Sequence, residues 1–309
     1  MMRSTGLISI VLALCATGCQ QRPVHGTADL QSSAATIHAA ATGEECPTVD
    51  GVKAAYVGTY RGVENVLSAT DLMRDVRCAE RFKSSKFPKG FVTFFGSSRI
   101  TQDNVVCNHA NKKCDQRMKR RHDALYRDVR AFSSSWTKQY GTHFPILAGA
   151  GGGLMEAANR GAFEAGGVSV GYTTYYDKLT STAPIDHPYA GDPRTALNSY
   201  VTTGLIFTSI AEREAAMIRH SAAIVFAPGG TGTEWEIFQV LEMRKSRQLL
   251  QIPIYLFGER SAWRSLERRL DYLVSERVVA REQLDFIHYA SSPEELVSSL
   301  AGDLGLRKE

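Results

Sequence analysis

Apolar and polar positions alternate along residues 87–309 in a repeating order. Short apolar runs closed by glycine are followed by longer stretches with three- and four-residue apolar spacing. Phe91-Val92-Thr93-Phe94-Phe95, ended by Gly96-Ser97-Ser98, predicts a buried parallel strand and a turn. Residues 115–140 predict a long helix. Met118, Leu125, Val129 and Phe132 share one face, and Arg117, Lys119, Arg120, Arg121 and Arg127 lie on a solvated one. Further strands are expected at Pro145–Ala148, Val168–Tyr172, Ala222–Ala227, Ile252–Phe257 and Phe286–Tyr289. Helices are expected after Gly153 (ended by Gly166-Gly167), over 203–220, from the 228–233 loop to Lys245, over 262–276 and from Pro293. Strands that alternate with helices need crossover connections. The expected fold class is therefore α/β: a Rossmann-like, doubly wound parallel sheet with helices on both faces.

Upstream, Val63, Val66, Leu67, Leu72, Met73 and Val76 predict a helix over 62–83, within an N-terminal appendage at 46–86; the main domain covers 87–309. Residues 173–200 are polar and contain Pro and Gly, and a loop of that length is expected to serve function. Residues 1–18 read as a signal peptide: Arg3, then an apolar stretch too short to span about 30 Å of hydrocarbon. Ala16-Thr17-Gly18-Cys19 resembles a bacterial lipobox with Cys19 as the acylated residue; ordinary signal-peptidase cleavage and an uncleaved segment are the alternatives. Residues 19–45 read as a flexible tether. The expected place is the cell envelope or periplasm, as a lipoprotein, at the outer membrane where there is one. Cys46, Cys78, Cys107 and Cys114 remain. In an oxidising compartment they predict two disulfides, Cys107–Cys114 and Cys46–Cys78, rather than a metal site, since no C-x-x-C spacing occurs. The net charge of +4 is too small to call for nucleic-acid binding.

Two glycine-rich loops stand where a strand ends and a helix begins: Gly149-Ala150-Gly151-Gly152-Gly153 and Gly229-Gly230-Thr231-Gly232-Thr233. Ligands of open α/β sheets bind at such strand ends, and free backbone N–H groups there suit phosphate. Neither loop has the dinucleotide or P-loop spacing. Glu236, three residues after Thr233, shares a helix face with it, and Arg213 on the preceding helix is a candidate cation partner. Glu234 suits a plain helix-start charge.

Four segments resemble the Lonely Guy (LOG) family, once misnamed lysine decarboxylases. Pro228-Gly229-Gly230-Thr231-Gly232-Thr233-Glu234-Trp235-Glu236 matches its P-G-G-x-G-T-x-x-E motif, and Glu212-Arg213-Glu214-Ala215-Ala216-Met217 is similar to its E-R-K-x-x-M segment. Residues 151–162 resemble its G-P-G-I-M-E-A-A-N-R-G-A stretch, and Gly96-Ser97-Ser98-Arg99 its first strand end. The resemblance implies a nucleoside 5′-monophosphate substrate (AMP-like or a cytokinin ribotide), cleaved at its N-glycosidic bond to free base and ribose 5-phosphate. It implies catalytic roles for Arg213 and Glu236. The substrate would be bound by Gly96, Ser97, Ser98, Gly151, Gly152, Gly153, Met155, Met217, Gly229, Gly230, Thr231, Gly232 and Thr233. It also implies a homodimer, with no cofactor and no metal. Glu236 would act as a carboxylate that stabilises the ribosyl cation and orients or deprotonates water, with Arg213 holding it ionised or contacting the phosphate. Glu214 stands where the family has Lys, and Ala150 where it has a glycine. The alternatives are a non-catalytic nucleotide or cofactor binder, and a glycohydrolase acting on a larger nucleotide such as NAD.

Overall fold

The computed structural model describes residues 55–56, 69–102, 107–108, 113–174 and 198–306, with backbone alone at 55–56, 107–108 and 113–114. All fall within one compact unit spanning 43–309. Cys19, the signal segment, the tether, Cys46 and residues 175–197 lie outside the described residues.

Ten strands are present among the described residues: β1 (Ala55–Tyr56), β2 (Phe91–Phe95), β3 (Cys107–Asn108), β4 (Lys113–Cys114), β5 (Ile146–Ala148), β6 (Ser169–Thr174), β7 (Thr203–Phe207), β8 (Ser221–Phe226), β9 (Ile254–Phe257) and β10 (Ile287–Ala290). The helices are α1 (Ala69–Lys86), α2 (Gln116–Tyr140), α3 (Leu154–Glu164), α4 (Ile210–Arg219), α5 (Thr231–Lys245), α6 (Arg264–Ser275) and α7 (Pro293–Asp303). Eight strands form one sheet in the order β1-β7-β6-β5-β2-β8-β9-β10, and every pairing in it is parallel. From β2 the chain winds outward through β5 and β6 to β7. It then returns to β8 on the other side of β2 and winds the opposite way to β10. Right-handed crossovers running in opposite directions must place their helices on opposite faces, and they do. α2, α3 and α7 cover the face of Val92, Phe94, Val225 and Phe257. α1, α4, α5 and α6 cover the face of Phe91, Phe95, Ile224, Phe226 and Leu256. Strand β2 is buried along its whole length, as a central strand between two helical layers must be. Phe95 and Phe226 stack at 5.2 Å across the β2–β8 seam.

Three expectations change. The helix expected over 203–220 is a strand and a shorter helix: β7, then α4, whose first turn is capped by Ser209 Oγ accepting from the Glu212 N–H at 3.2 Å. The stripe that α1 buries is Asp71, Asp75, Cys78, Ala79 and Phe82. The expected Leu72, Met73 and Val76 are 36%, 65% and 36% exposed. Apolar spacing points to the other face because an Asp counts as polar, whereas Asp75 is buried and accepts three hydrogen bonds. Helix α5 begins at Thr231, not after Thr233. In addition, α1 is an integral layer of the fold, with Cys78, Ala79 and Phe82 in the same core cluster as α4 and α5.

Cys107 lies directly opposite Cys114 in the antiparallel β3–β4 pair; their side chains are outside the described residues. Cys78 is disulfide-bonded. The Cys46 half of the expected pair is outside the described residues. Among the described residues no helix is long and apolar enough to cross a membrane.

Candidate functional site

The winding reverses between β2 and β8, and in a doubly wound sheet the crevice at that reversal receives ligands. The loops that follow β2, β5 and β8 meet there. Gly96-Ser97-Ser98 leaves β2, and the Ser97 carbonyl accepts from the Leu154 N–H at 2.9 Å, joining the β2 loop to the start of α3. Gly153, at φ +65°, makes this join: a Cβ there would stand 2.4 Å from the Ser97 carbonyl oxygen. The Ala227 N–H donates to the Phe95 carbonyl at 2.8 Å, which sets the β8 loop beside the β2 loop.

The β5 loop is held from a second side. Asn198 donates its backbone N–H to the Ala150 carbonyl (2.9 Å) and its Nδ2 to the Gly151 carbonyl (3.1 Å) and Asn159 Oδ1 (3.0 Å). Asn159 in turn donates to Ser169 Oγ and the Val170 carbonyl. Ala150 stands at φ +61°, the left-handed region, which costs a residue bearing a Cβ about 1 kcal/mol.

After β8, Gly229, Gly230, Thr231 and Gly232 are exposed and Thr233 is buried. The first helical bond of this turn runs from the Glu234 N–H to the Gly230 carbonyl at 3.0 Å, and Gly230 supplies no side-chain cap. The N–H groups before Glu234 therefore form the positive end of a 15-residue helix, at the crevice. Gly229 is required by close approach: a Cβ would lie 2.1 Å from Thr233 Oγ1.

Beneath these loops lie three buried ionisable side chains, Arg213, Glu214 and Glu236, with 7%, 2% and 7% exposure. Arg213, in α4, donates Nη1 to the Gly149 carbonyl at 3.5 Å. Its Nη2 donates to Glu214 Oε1 and stands 3.8 Å from Glu236 Oε1. Burial pushes the Glu236 carboxyl up to about 8, opposed by the Arg213 charge. This shift favours the protonated form of Glu236, the opposite tendency to the expected ionised carboxylate. Arg213 is engaged by Glu214, and desolvation prevails.

The geometry gathers most of the residues singled out from the sequence. Gly96, Ser97 and Ser98 line one side, and Gly151, Gly152 and Gly153 another. Gly229, Gly230, Thr231, Gly232 and Thr233 line a third, with Arg213 and Glu236 below. Met155 is partly buried, its Sδ 2.6 Å from where a Gly149 Cβ would be. Met217 is wholly buried in the core, one turn beyond Arg213. Asn198 and Asp75 were not singled out. Asp75 Oδ2 accepts from the Thr208 and Ser209 N–H groups (2.9 and 3.0 Å), and Oδ1 from the Thr208 hydroxyl (3.0 Å), anchoring the turn into α4. Burial raises the Asp75 carboxyl to about 6, opposed by the hydrogen bonds from Ser209 and Thr208. An Asp four residues before the apolar Ala79 and seven before Phe82 was the one local hint.

No curated protein matches this chain. Among solved structures it is similar to the molybdenum cofactor binding protein from the phototrophic bacterium Rippkaea orientalis, at 15% identity over 69% of this chain and 96% of that one, TM-score 0.42. It is also similar to the molybdenum cofactor carrier protein from Chlamydomonas reinhardtii, at 15% identity over 70% and 98%, TM-score 0.44. Residues 155–300, which hold Arg213, Glu236 and the β8 loop, match the family model described as "Possible lysine decarboxylase", in support of the LOG-type resemblance of the motifs.

Proposed function

We propose that this protein hydrolyses the N-glycosidic bond of a nucleoside 5′-monophosphate. The observation that carries the reading is a buried, partnered arginine and a buried glutamic acid under a phosphate-compatible helix start, at the crevice of the sheet. The family match over 155–300 supports it.

In this reading the first turn of α5, Gly229 to Thr233, receives the 5′-phosphate, with Ser97 and Ser98 beside it. The β5 loop borders the nucleoside. Glu236 gives its proton to a base nitrogen as the C1′–N bond breaks and the bonding pair leaves with the base. The resulting carboxylate faces the oxocarbenium-like ribosyl cation and stabilises it. Water adds to C1′ and returns a proton to Glu236, so one nucleotide and one water give base and ribose 5-phosphate. Arg213 holds the two carboxyls in place.

The test incubates purified protein with a panel of purine, pyrimidine and cytokinin nucleoside monophosphates, and NAD, and detects the released base by chromatography. Base release from a monophosphate, lost in Glu236→Gln, is expected. Binding of nucleotides without release would instead make the chain a non-catalytic nucleotide or cofactor binder. Release from NAD alone would make it a glycohydrolase of larger nucleotides.

A further inference from the structure

We propose that Glu214 is a positioning residue for this reaction: by engaging the Arg213 guanidinium it leaves Glu236 as the carrier of the site's proton. The inference rests on the hydrolase reading for its kinetic part only. Glu214 follows Arg213 on α4 and is almost wholly buried. Its Oε1 accepts from Arg213 Nη2, while its Oε2 and Arg213 Nε have no hydrogen-bond partner among the described residues. One cation therefore faces two buried carboxyls. With both ionised, the group would hold an excess negative charge away from water, which is costly. One proton removes that excess. It stays on the carboxyl farther from the guanidinium, which is Glu236 at 3.8 Å.

Other elements around Glu236 bring no competing charge among the described residues. The end of β5 offers the Gly149 carbonyl, itself taken by Arg213. α3 offers the uncharged Met155 beside Gly149. In the β2 loop, Ser97 Oγ accepts from the Arg99 N–H. Elsewhere on α4, Glu212 is paired with Arg219, and on α5 Glu234 is exposed. Burial and the Arg213 charge are the two influences on Glu236, with burial the larger. A buried ion pair with an orphaned oxygen is a poor device for stability, since an apolar residue of similar volume is often neutral or better there. The charge that Glu214 places on Arg213 accounts for it.

The experiment is an NMR titration of the full chain labelled with ¹³C at glutamate side-chain carboxyls, with Glu236 assigned by its loss in Glu236→Gln. The wild-type midpoint is expected near 8. In Glu214→Gln and Glu214→Met the freed guanidinium favours the Glu236 carboxylate, and the midpoint is expected to fall by about 1 to 3 pH units. The alkaline limb of the turnover profile should move down with it. A wild-type midpoint in the ordinary range near 4.3, or midpoints unchanged in both variants, would overturn the proposal. A turnover lowered equally at every pH would do the same, and so would failure of both variants to fold, because each assigns Glu214 to the fold alone. If no nucleotide is hydrolysed, the hydrolase reading fails while the carboxyl midpoints still decide the role of Glu214.

Discussion

Glu236→Gln is expected to make the protein more stable and less active at the same time. In the unfolded chain Glu236 titrates near 4.5, and in the fold near 8. Its folded form therefore binds the proton more tightly. The associated stability is complete below pH 4.5 and is lost as pH rises through 8. Each pH unit across that window is worth about 1.4 kcal/mol, so the loss approaches a ceiling of about 5 kcal/mol by pH 8 and about 3 kcal/mol by pH 7. Gln keeps the volume and removes the titration, so the variant lacks that slope. Asp75, raised from 3.8 to about 6 by burial, tilts both proteins alike and cancels in the difference. Urea denaturation of both proteins from pH 4.5 to 8.5 measures it. The two stability curves should meet near pH 4.5 and diverge steadily above, with Gln the more stable. Parallel curves would refute the reasoning, because they would mean that Glu236 titrates alike in the folded and unfolded chain. The same variant should lose turnover by about 100-fold or more, the scale of losing an acid–base or electrostatic group. Stability gained where function is lost is the usual trade at a site that buries charge.

Asp75→Ala should destabilise by about 2–4 kcal/mol in urea, because three donors at the turn into α4 lose their acceptor; Asp75→Asn should recover part of this. Gly229→Ala, which meets Thr233 Oγ1, should weaken nucleotide binding in calorimetry and cost about 1–3 kcal/mol, whereas Gly230→Ala enters open space and should cost about 1 kcal/mol or less. Ala150→Gly should stabilise by about 1 kcal/mol in thermal melts by relieving its left-handed backbone. We further propose export with lipid attachment: mass spectrometry of the protein from its native membrane should find acyl chains on Cys19, and Cys78 should resist alkylation until reduced.

Much of this site could be read from residue order. Two glycine loops after apolar runs, and a Glu three residues beyond Thr233, placed Glu236 below a helix start because helical spacing is local and regular. The alternation of runs and amphipathic stretches gave the sheet and its two layers. Strand β7 escaped because Thr203–Phe207 is a short apolar run, and periodicity alone does not separate a buried strand from a buried helix. Asp75 and Asn198 escaped for another reason. Their partners lie far along the chain, Asp75 from Thr208 by 133 residues and Asn198 from Gly151 by 47. A buried polar side chain looks misplaced until its partner is known. The upward shift of the Glu236 carboxyl escaped because it depends on burial and on which of two carboxyls Arg213 touches, a matter of side-chain packing.

The Asp75 clamp also bears on the order in which the molecule assembles. α1 emerges early in synthesis, but the three donors to its buried Asp75 carboxylate belong to Thr208 and Ser209, and β1 finds its neighbour only in β7. Until those residues exist, burying α1 would strand a charge, so its docking is deferred. Contacts of such long sequence separation slow folding, since a large loop must close before any of them is made. A nascent chain halted before Ser209 therefore presents α1 undocked, and proteases should cut it there in preference to the strands that follow.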